Sequence, residues 1–372
     1  MRDWIALNMT PGVGPRVAAK LLERFGSAEA VFGATRGELE RLRLRPEAVE
    51  SIMLKNCHAQ AIDELERVRA LGGEIIILDD GTYPALLKET PDPPLALYVK
   101  GDWVDCFEAP CVAIVGSRRC SSYGQNAARL LARDLASRGV VIVSGLARGV
   151  DAAAHRGAIE NGGRTVAVMG TGLDDIYPRD HAGLAKEILE KGGALVSEFP
   201  LGTPPVPQNF PYRNRVISGL CLGVVLIEAA ENSGSLITAR LGLEQGREVF
   251  AVPGNITSKN SFGTNYLIKS AGAKLVQQWQ DVVSEFPQEI AARMLPPDPK
   301  VGLANSDLSS PTGLSDGERA VFKLLSMDES AHIDLLAEST GLPMPELNSA
   351  LLGLEIRGLI RQLPGRCFIR NP

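Results

Sequence analysis

Residues suited to binding phosphate occur in the segment 116–124, which reads Gly-Ser-Arg-Arg-Cys-Ser-Ser-Tyr-Gly. The segment follows an apolar, β-branched run and precedes a stretch with helical periodicity. Gly116 permits a tight turn, Ser117 supplies a hydroxyl donor, and Arg118 supplies a planar guanidinium that matches a phosphate. The start of the helix adds unpaired N–H groups and the positive end of the helix dipole. This loop is therefore predicted to bind phosphate, and the alternative is a purely structural turn.

A second segment, 144–151, repeats this arrangement after the next apolar run. Ser144 and Gly145 are small enough to let the backbone approach a ligand closely, and Arg148 adds a guanidinium. An aspartate at the end of the segment is suited to cap the following helix. His155 lies inside that helix with no nucleophile beside it. We therefore interpret it as a packed, hydrogen-bonded residue rather than a general base.

The densest cationic and aromatic cluster of the central region is 210–215, Phe-Pro-Tyr-Arg-Asn-Arg. Arg213 and Arg215, with Asn214 between them, are predicted to engage successive phosphates. Phe210 or the neighbouring tyrosine is suited to stack on a base. The alternative is a structural loop whose arginines form ion pairs.

Neutral donors and missing motifs narrow the chemistry further. Ser233, Gly234 and Ser235 open another helix and offer hydroxyl and N–H donors to a phosphate. The glycines of 116–124 do not match G-x-G-x-x-G, and no Walker lysine follows them. The chain also has no closely spaced histidine set and no G-x-S-x-G elbow. Standard dinucleotide, ATP, zinc and serine-hydrolase sites are therefore not expected, and no cofactor or metal is predicted.

The elements that must position these loops lie in the region 71–288. Short β-branched runs alternate there with helical stretches long enough to cross over a sheet. The runs lie at 74–78, 111–116, 140–145, 164–170, 194–199, 223–229 and 247–254. This rhythm predicts an α/β fold with a parallel sheet that is covered on both faces. Ligands of such sheets bind at the carboxyl ends of the strands, where the loops above would meet.

Two further regions and a linker flank this core. Residues 1–70 are predicted to be helical around a Pro-Gly-Val-Gly turn at 11–14, which resembles a helix-hairpin-helix element or is a plain interhelical turn. The proline-containing segment 289–314 is predicted to be a linker. Residues 315–372 show three helical stretches followed by two short strand-like runs, which predicts a winged helix-turn-helix.

Charge and composition limit the partners. The 372 residues include 39 Lys and Arg against 44 Asp and Glu, a formal net charge of −5, which argues against a wholly basic, histone-like binder. The tail 315–372 carries six basic and eight acidic residues, so we expect it to dock a partner or to regulate rather than to read duplex DNA. No long apolar run or secretory signal is evident, and the six scattered cysteines fit reduced thiols. A cytoplasmic protein is therefore expected.

Segments in the central region closely resemble the DNA-processing protein A (DprA, or Smf) family. The resemblance implies an extended Rossmann-like core between an N-terminal helix-hairpin-helix or SAM-like domain and a C-terminal winged-helix-like domain. It further implies single-stranded DNA binding, usually by a homodimer, that protects incoming DNA in natural transformation and helps load RecA without a cofactor or catalysis. The segments that carry it are VAIVGSRRCSSYG (112–124), VSGLARGVDAAAHRGAI (143–159), VAVMGTGLDDIYP (166–178), SEFPLGTPP (197–205), FPYRNRVISGL (210–220) and SGSLITARLGLEQGREVFAVPGN (233–255).

The same resemblance implies which residues line the DNA groove. Gly116, Ser117 and Arg118 match the family's GSR loop, and Arg148 matches its GLARG loop. Arg179 stands where many members carry a basic residue. The family's RNR segment is matched by Arg213, Asn214 and Arg215.

Two other functions stay open from the residues alone. A Rossmann-like nucleotide phosphoribohydrolase would use Glu198 or Glu228 as its acid, although the P-G-G-x-G-T loop of those enzymes is absent. A nucleotide-binding sensor without catalysis would hold a mononucleotide on the GSR loop alone.

Overall fold

The computed structural model describes residues 1–294, 314–327 and 329–371, and its centre is a nine-stranded sheet. The strands are β1 (Gly73–Ile77), β2 (Ala96–Gly101), β3 (Cys111–Val115), β4 (Val141–Ser144), β5 (Thr165–Val168), β6 (Ala194–Ser197), β7 (Gly223–Leu226), β8 (Glu248–Ala251) and β9 (Lys274–Leu275). Their order across the sheet is β1-β2-β6-β5-β4-β3-β7-β8-β9. Neighbours from β6 to β9 in this order are parallel, whereas β1 with β2 and β2 with β6 are antiparallel.

Helices precede the sheet and connect its strands. The N-terminal helices are α1 (Arg2–Met9), α2 (Pro15–Phe25), α3 (Ala28–Phe32), α4 (Arg36–Arg41), α5 (Pro46–Leu54) and α6 (His58–Ala70). The helices of the core are α7 (Ala85–Lys88), α8 (Trp103–Glu108), α9 (Ser122–Ala136), α10 (Val150–Glu160), α11 (Ala182–Glu190), α12 (Asn209–Gly219), α13 (Gly234–Glu244), α14 (Phe262–Lys269), α15 (Trp279–Val283) and α16 (Gln288–Met294). Short 3₁₀ turns lie at Arg179–His181 and Lys259–Ser261. Among the helices of the described ranges, none is both long and apolar enough to cross a membrane.

The sequence of β3 shows why both faces of the sheet are covered. Side chains alternate between the faces of a strand. Ile114 packs with Leu131 of α9 in one buried cluster, whereas Ala113 and Val115 pack with Val216 of α12 in another. A strand buried on both faces needs a continuous apolar run, and such runs made the sheet predictable. The predicted parallel sheet is confirmed, and the seven expected runs coincide with β1 and β3 to β8, while β2 and β9 were not anticipated.

The N-terminal helices pack on the sheet. Ile5 of α1 and Leu21 of α2 belong to the same buried cluster as Tyr98 and Leu195 of the sheet. The Glu64 side chain on α6 also accepts a hydrogen bond of 2.6 Å from the backbone N–H of Leu201. The helical region predicted for residues 1–70 therefore shares a buried cluster with the strands.

The tail forms a winged helix with its own core. Its elements are α17 (Asp316–Leu324), β10 (Ala331–His332), α18 (Ile333–Thr340), α19 (Met344–Ile356), β11 (Ile360–Leu363) and β12 (Cys367–Arg370), with the strand order β10-β12-β11. Phe322, Leu336 and Leu351 lie in a cluster separate from the sheet. The winged-helix prediction is confirmed.

The first six residues of the expected linker are helical. Residues 289–294 are part of α16, and Ala291 packs in the cluster of the sheet. The prolines that suggested a linker stand after this helix. The rest of the expected linker, 295–313, lies outside the described residues.

One buried histidine gives the fold a testable pH dependence. His155 of α10 is fully buried, and its Nδ1 lies 2.7 Å from Thr165 Oγ1. The Thr165 hydroxyl donates to the Ile142 carbonyl at 2.6 Å, so the ring acts as the donor to Thr165. This arrangement confirms a packed, hydrogen-bonded histidine. Burial lowers the pKa of His155 to about 3, from 6.5 for a free histidine.

We predict that the free energy of unfolding falls as the pH drops below about 6.5, because the unfolded chain then takes up a proton that the folded chain excludes. One such group contributes about 1.4 kcal/mol per pH unit between its two pKa values. Urea unfolding at pH 7 and pH 5 should therefore show that the wild type loses about 2 kcal/mol more than His155→Gln. Equal losses in the two proteins would contradict a neutral, buried His155.

Candidate nucleic-acid interface

A large open cavity lies at the point where the chain reverses its direction across the sheet. From β3 the chain proceeds through β4 and β5 to β6 on one side, and from β7 it proceeds to β8 on the other side. Ligands of open parallel sheets bind at such a point, outside the carboxyl ends of the strands. The cavity has a volume of about 1180 Å³ and is lined by the loops after β3 and β7, by α12 and by residues 256–260.

The loop after β3 is held in place by Glu228, at the end of β7. The backbone N–H of Ser117 donates to the Glu228 carbonyl at 2.8 Å. The backbone N–H and the hydroxyl of Ser121 donate to the two carboxyl oxygens of Glu228 at 2.8 and 2.6 Å. A Cβ on Gly116 would lie 2.7 Å from Val150 Cγ2, so only glycine fits there. These contacts fix the backbone on which Arg118 stands.

Arg118 is an exposed cation at the mouth of the cavity. Its guanidinium carbon lies 5.3 Å from the centre of the Phe210 ring, whose centre is 5.4 Å from that of Tyr177. Arg118, Arg119 and Lys259 all line the cavity, and none forms an ion pair within the described part of the chain. The cavity therefore combines available positive charge with aromatic faces.

Arg213 lines the cavity but is committed to the protein. Its side chain is only 3% exposed, and its Nη1 donates to the carbonyls of Gly145, at 3.0 Å, and Val168. Burial lowers the pKa of Arg213 to about 10, and nearby Asp151 opposes that shift. Asp151 in turn accepts hydrogen bonds from the N–H groups of Gly145 and Ala147. Arg213 thus braces the ends of β4 and β5 beneath the cavity.

Arg215 is turned away from the cavity into a buried ion pair. Its Nη2 contacts Glu198, its Nη1 donates to the Asp92 carbonyl, and its guanidinium carbon lies 4.5 Å from the centre of the Tyr212 ring. Burial raises the pKa of Glu198 to about 7, against the attraction of the adjacent guanidinium. The sequence predicted that Arg215 would engage a phosphate, with an ion pair inside the protein as the alternative. The structure shows the ion pair.

Four further residues expected at the site also lie outside the cavity lining. Ser144 is fully buried and donates to the Ile114 carbonyl at 2.7 Å. Gly145 lies under Arg213, where a Cβ would be 2.6 Å from Nη2. Arg148 is exposed and forms a two-bond pair with Asp180, at 2.9 and 3.0 Å, and Arg179 is exposed beside that aspartate.

The structure brings nine of the fourteen expected residues to one cavity. They are Gly116, Ser117, Arg118, Phe210, Arg213, Asn214, Ser233, Gly234 and Ser235. The sequence interpretation did not single out the loop after β8, which supplies Thr257, Lys259 and Asn260. Its polar residues follow a strand that ends at the same edge of the sheet, and that position was the available signal.

The described residues contain no group of three or more His, Cys, Asp or Glu side chains that could hold a metal ion. The two glutamates considered as acids are both engaged, since Glu228 holds the loop after β3 and Glu198 pairs with Arg215.

Comparisons with known proteins identify the family. Residues 74–287 match the family model described as DNA recombination-mediator protein A, and residues 306–366 match that of the DprA winged helix domain. The chain belongs to the DprA (Smf) family. Protein Smf of Escherichia coli K12 is 45% identical over 293 residues, which cover 78% of this chain and 76% of that protein. Protein Smf of Synechocystis is 32% identical over 396 residues, which cover 99% and 98%.

Solved structures of the family share this architecture. DprA of Streptococcus pneumoniae superposes with a TM-score of 0.67 at 36% identity, covering 77% of this chain and 98% of that chain. DprA of Helicobacter pylori, whose structure addresses a single-stranded DNA binding mode, superposes with a TM-score of 0.51 at 32% identity, covering 56% and 94%.

A matched pair of glycine variants tests how tightly the loop after β3 is held. Gly149 and Gly162 both have positive φ angles, of 80° and 74°. A Cβ on Gly149 would lie 2.3 Å from the Ser117 carbonyl oxygen, whereas a Cβ on Gly162 meets no atom within 4 Å. We predict that Gly162→Ala costs about 1 kcal/mol, from backbone strain, and that Gly149→Ala costs about 3 kcal/mol or more. Equal losses in urea unfolding would contradict close packing of the loop.

Proposed function

We propose that this protein binds single-stranded DNA in the cavity, without sequence preference and without catalysis. The observation that carries the proposal is that cations with no ion pair among the described residues share one cavity with aromatic rings, on a protein whose net charge is −5. Cations that follow a backbone and rings that stack on bases are the two components of sequence-tolerant strand binding. The Helicobacter pylori relative supports it, since its structure concerns single-stranded DNA binding.

Each wall of the cavity has a role in this proposal. Arg118 and Lys259 contact phosphates, and the hydroxyl and N–H groups of Ser117 and of residues 233–235 add neutral donors. A base stacks against Phe210, whose ring also contacts the Arg118 guanidinium and the Tyr177 ring. Asn214 borders the DNA from α12, and the buried guanidinium of Arg213 below it holds the ends of β4 and β5 together.

The remaining expected residues take supporting roles. Ser144, Gly145 and Arg215 build the frame of the site through their buried contacts. Arg148 and Arg179 are exposed near the end of β4 that faces the cavity, and they contact the DNA outside the cavity. Arg148 must first leave its ion pair with Asp180.

Two observations disfavour the phosphoribohydrolase alternative. Its acid would have to be Glu198 or Glu228, and neither lines the cavity, since Glu198 is buried beside Arg215 and Glu228 holds the loop after β3. The cavity also extends along three loops and a helix, beyond what a mononucleotide needs. Hydrolysis of nucleotides by a protein that fails to bind oligothymidylate would favour the enzyme.

We assign the winged helix a docking or regulatory role. The exposed side of α19, the helix that would enter a DNA groove, carries Glu346, Asn348, Ser349, Leu352 and Ile356, with no cation. A helix that reads duplex DNA presents several positive charges. Loss of most single-strand affinity on removal of residues 315–372 would contradict this role.

The wider biological role follows from the family. We propose that the protein acts as a homodimer in the cytoplasm, that it protects incoming DNA in natural transformation or recombination, and that it helps load RecA. Exposed apolar side chains at the β9 edge of the sheet, Tyr266 and Leu275, support self-association. All six cysteines are free, which supports a reducing compartment. A monomeric mass in sedimentation at micromolar concentration would contradict the homodimer.

A double variant tests the DNA site. We predict that Arg118→Ala with Lys259→Ala weakens binding of a fluorescent oligothymidylate by about tenfold or more at low salt, because two phosphate contacts are lost. The slope of log affinity against log salt concentration should fall by about 1.4, since each phosphate contact of a single strand contributes about 0.7. Fluorescence anisotropy at several salt concentrations measures both quantities.

The matched control is Lys186→Ala with Arg240→Ala, which removes the same charge from exposed positions outside the cavity. It should bind as the wild type does. An equal loss in the control, or an unchanged salt slope in the test variant, would contradict the proposed site. Arg213 is left intact because its removal would leave buried carbonyl groups without a hydrogen-bond donor.

A further inference from the structure

A stripe of cations lies on the N-terminal region, outside the cavity. Arg16, Lys20 and Arg24 follow one another at intervals of four residues on α2, and all three are exposed. Residues four apart lie on one face of a helix. The other face, with Ala18 and Leu21, is buried in the core, so the orientation of the stripe toward solvent is fixed by packing.

A fourth cation joins the stripe at the Pro-Gly-Val-Gly turn before α2. Gly12 has a φ of 80°, which folds the turn back against the start of α5. A Cβ on Gly12 would lie 3.5 Å from Arg45 Cδ, and the Arg45 side chain is 76% exposed. Within the described residues the backbone N–H groups of Gly12 and Gly14 donate no hydrogen bond, so the turn adds free donors between Arg45 and Arg16.

These cations are weakly neutralised. Lys20 and Arg24 form no ion pair within 4.0 Å of any described carboxylate, and Arg24 contributes only in part to the lowered pKa of the Glu38 carboxyl group, after the hydrogen bonds from Thr35. Arg16 approaches Asp92 at 3.8 Å, and Arg45 approaches Glu47 at 3.9 Å, both at the outer limit for an ion pair. Exposed pairs of this kind contribute little, so a phosphate can compete for both arginines.

The stripe is connected to the proposed DNA site through α12. The side chain of Asp92 faces Arg16, while its backbone carbonyl accepts a hydrogen bond from Arg215 of α12. Arg215 lies under the ring of Tyr212, which is exposed, and the residue before Tyr212, the exposed Pro211, lines the cavity. Three contacts, Arg16 with Asp92, Asp92 with Arg215 and Arg215 with Tyr212, therefore connect the stripe to an exposed aromatic ring at the border of the cavity.

We infer that α2 and its preceding turn form a second binding surface for the DNA backbone, which continues the path of a single strand that leaves the cavity past Tyr212. The inference rests on the proposed function and extends it. Complementary charge and continuity with the cavity identify the occupant as the same single strand. Sequence-tolerant strand binding of this kind tracks phosphates with cations and needs no base-specific contact.

Oligothymidylates of two lengths separate the two surfaces. One of about 8 nucleotides lies within the ~4–16 nucleotides that a single compact site covers, and one of about 30 nucleotides can reach both surfaces. The triple variant Arg16→Ala, Lys20→Ala, Arg24→Ala should bind the short strand as the wild type does. It should bind the long strand about tenfold more weakly, with a salt slope lower by about 2, since three phosphate contacts at about 0.7 each are lost.

A control variant removes the same charge elsewhere. Lys186→Ala, Arg69→Ala and Arg293→Ala together delete one lysine and two arginines from exposed positions that border neither surface. Binding of both lengths should be unchanged in this control. Loss of long-strand affinity in the control equal to that in the α2 variant would overturn the inference, because net charge alone would then explain the effect.

A second pair of variants tests the turn without removing any cation. Gly14 caps α2 in an extended conformation and has open space around a Cβ, so both Gly14→Asp and Gly14→Asn fit and provide a favourable cap. Thermal unfolding should show that neither variant is less stable than the wild type. Only the aspartate should weaken long-strand binding, by about threefold or more, because it places a negative charge between Arg16 and Arg45.

The outcomes distinguish this inference from the proposed function. If the wild type binds neither length, the proposed function fails. If the wild type binds both lengths and the α2 variant binds the long strand equally well, only the second surface fails. Another outcome is that the α2 variant loses affinity for a short single strand joined to a duplex while it binds the long single strand as the wild type does. That result would also overturn the inference, because duplex DNA would then be the occupant.

Discussion

The structure of the site depends on the hydrogen bonds that Glu228 makes to the loop after β3. Glu228 ends one of the two strands that flank the cavity, and it accepts bonds from Ser117 and Ser121 of the loop that follows the other strand. Both its main-chain carbonyl and its buried carboxyl group take part. The neighbouring strands and the loop are thereby joined into one frame. Arg118 projects from that frame toward the solvent without needing an ion pair of its own.

Three arginines that the sequence predicted to bind DNA have three different environments in the structure. Arg118 is exposed and unpaired within the described residues, Arg213 is buried against carbonyl groups, and Arg215 is buried against Glu198. Their spacing on α12 separates the last two, because residues two apart on a helix point to different sides. The sequence pattern identified the cluster of charges. It could not assign the partners, since Glu198 and the carbonyl of Val168 are distant in the chain. The negative net charge is compatible with a small cationic cavity, because a local group of cations such as Arg118, Arg119 and Lys259 needs no excess of basic residues over the whole chain.

The fold was more predictable than the site. Buried strands such as β3 require continuous β-branched runs, and crossover helices require amphipathic stretches of sufficient length, so both leave local signals. Strand β2 left a weaker signal, because it lies next to prolines and pairs antiparallel near the edge of the sheet. Helix α16 was hidden by the prolines that follow it. Lys259 was missed because the sequence shows that the loop after β8 lies at the carboxyl edge of the sheet, but not that β8 lies close enough to β3 for the loop to reach the cavity.

Amide hydrogen exchange with and without bound oligothymidylate tests the central claim most directly. If the strand lies in the cavity, exchange should slow in the loops 116–121, 230–235 and 256–260, while α19 of the winged helix exchanges as it does in the free protein. Protection of α19 with no change in the three loops would contradict the account, because the winged helix would then be the DNA-binding part of the protein.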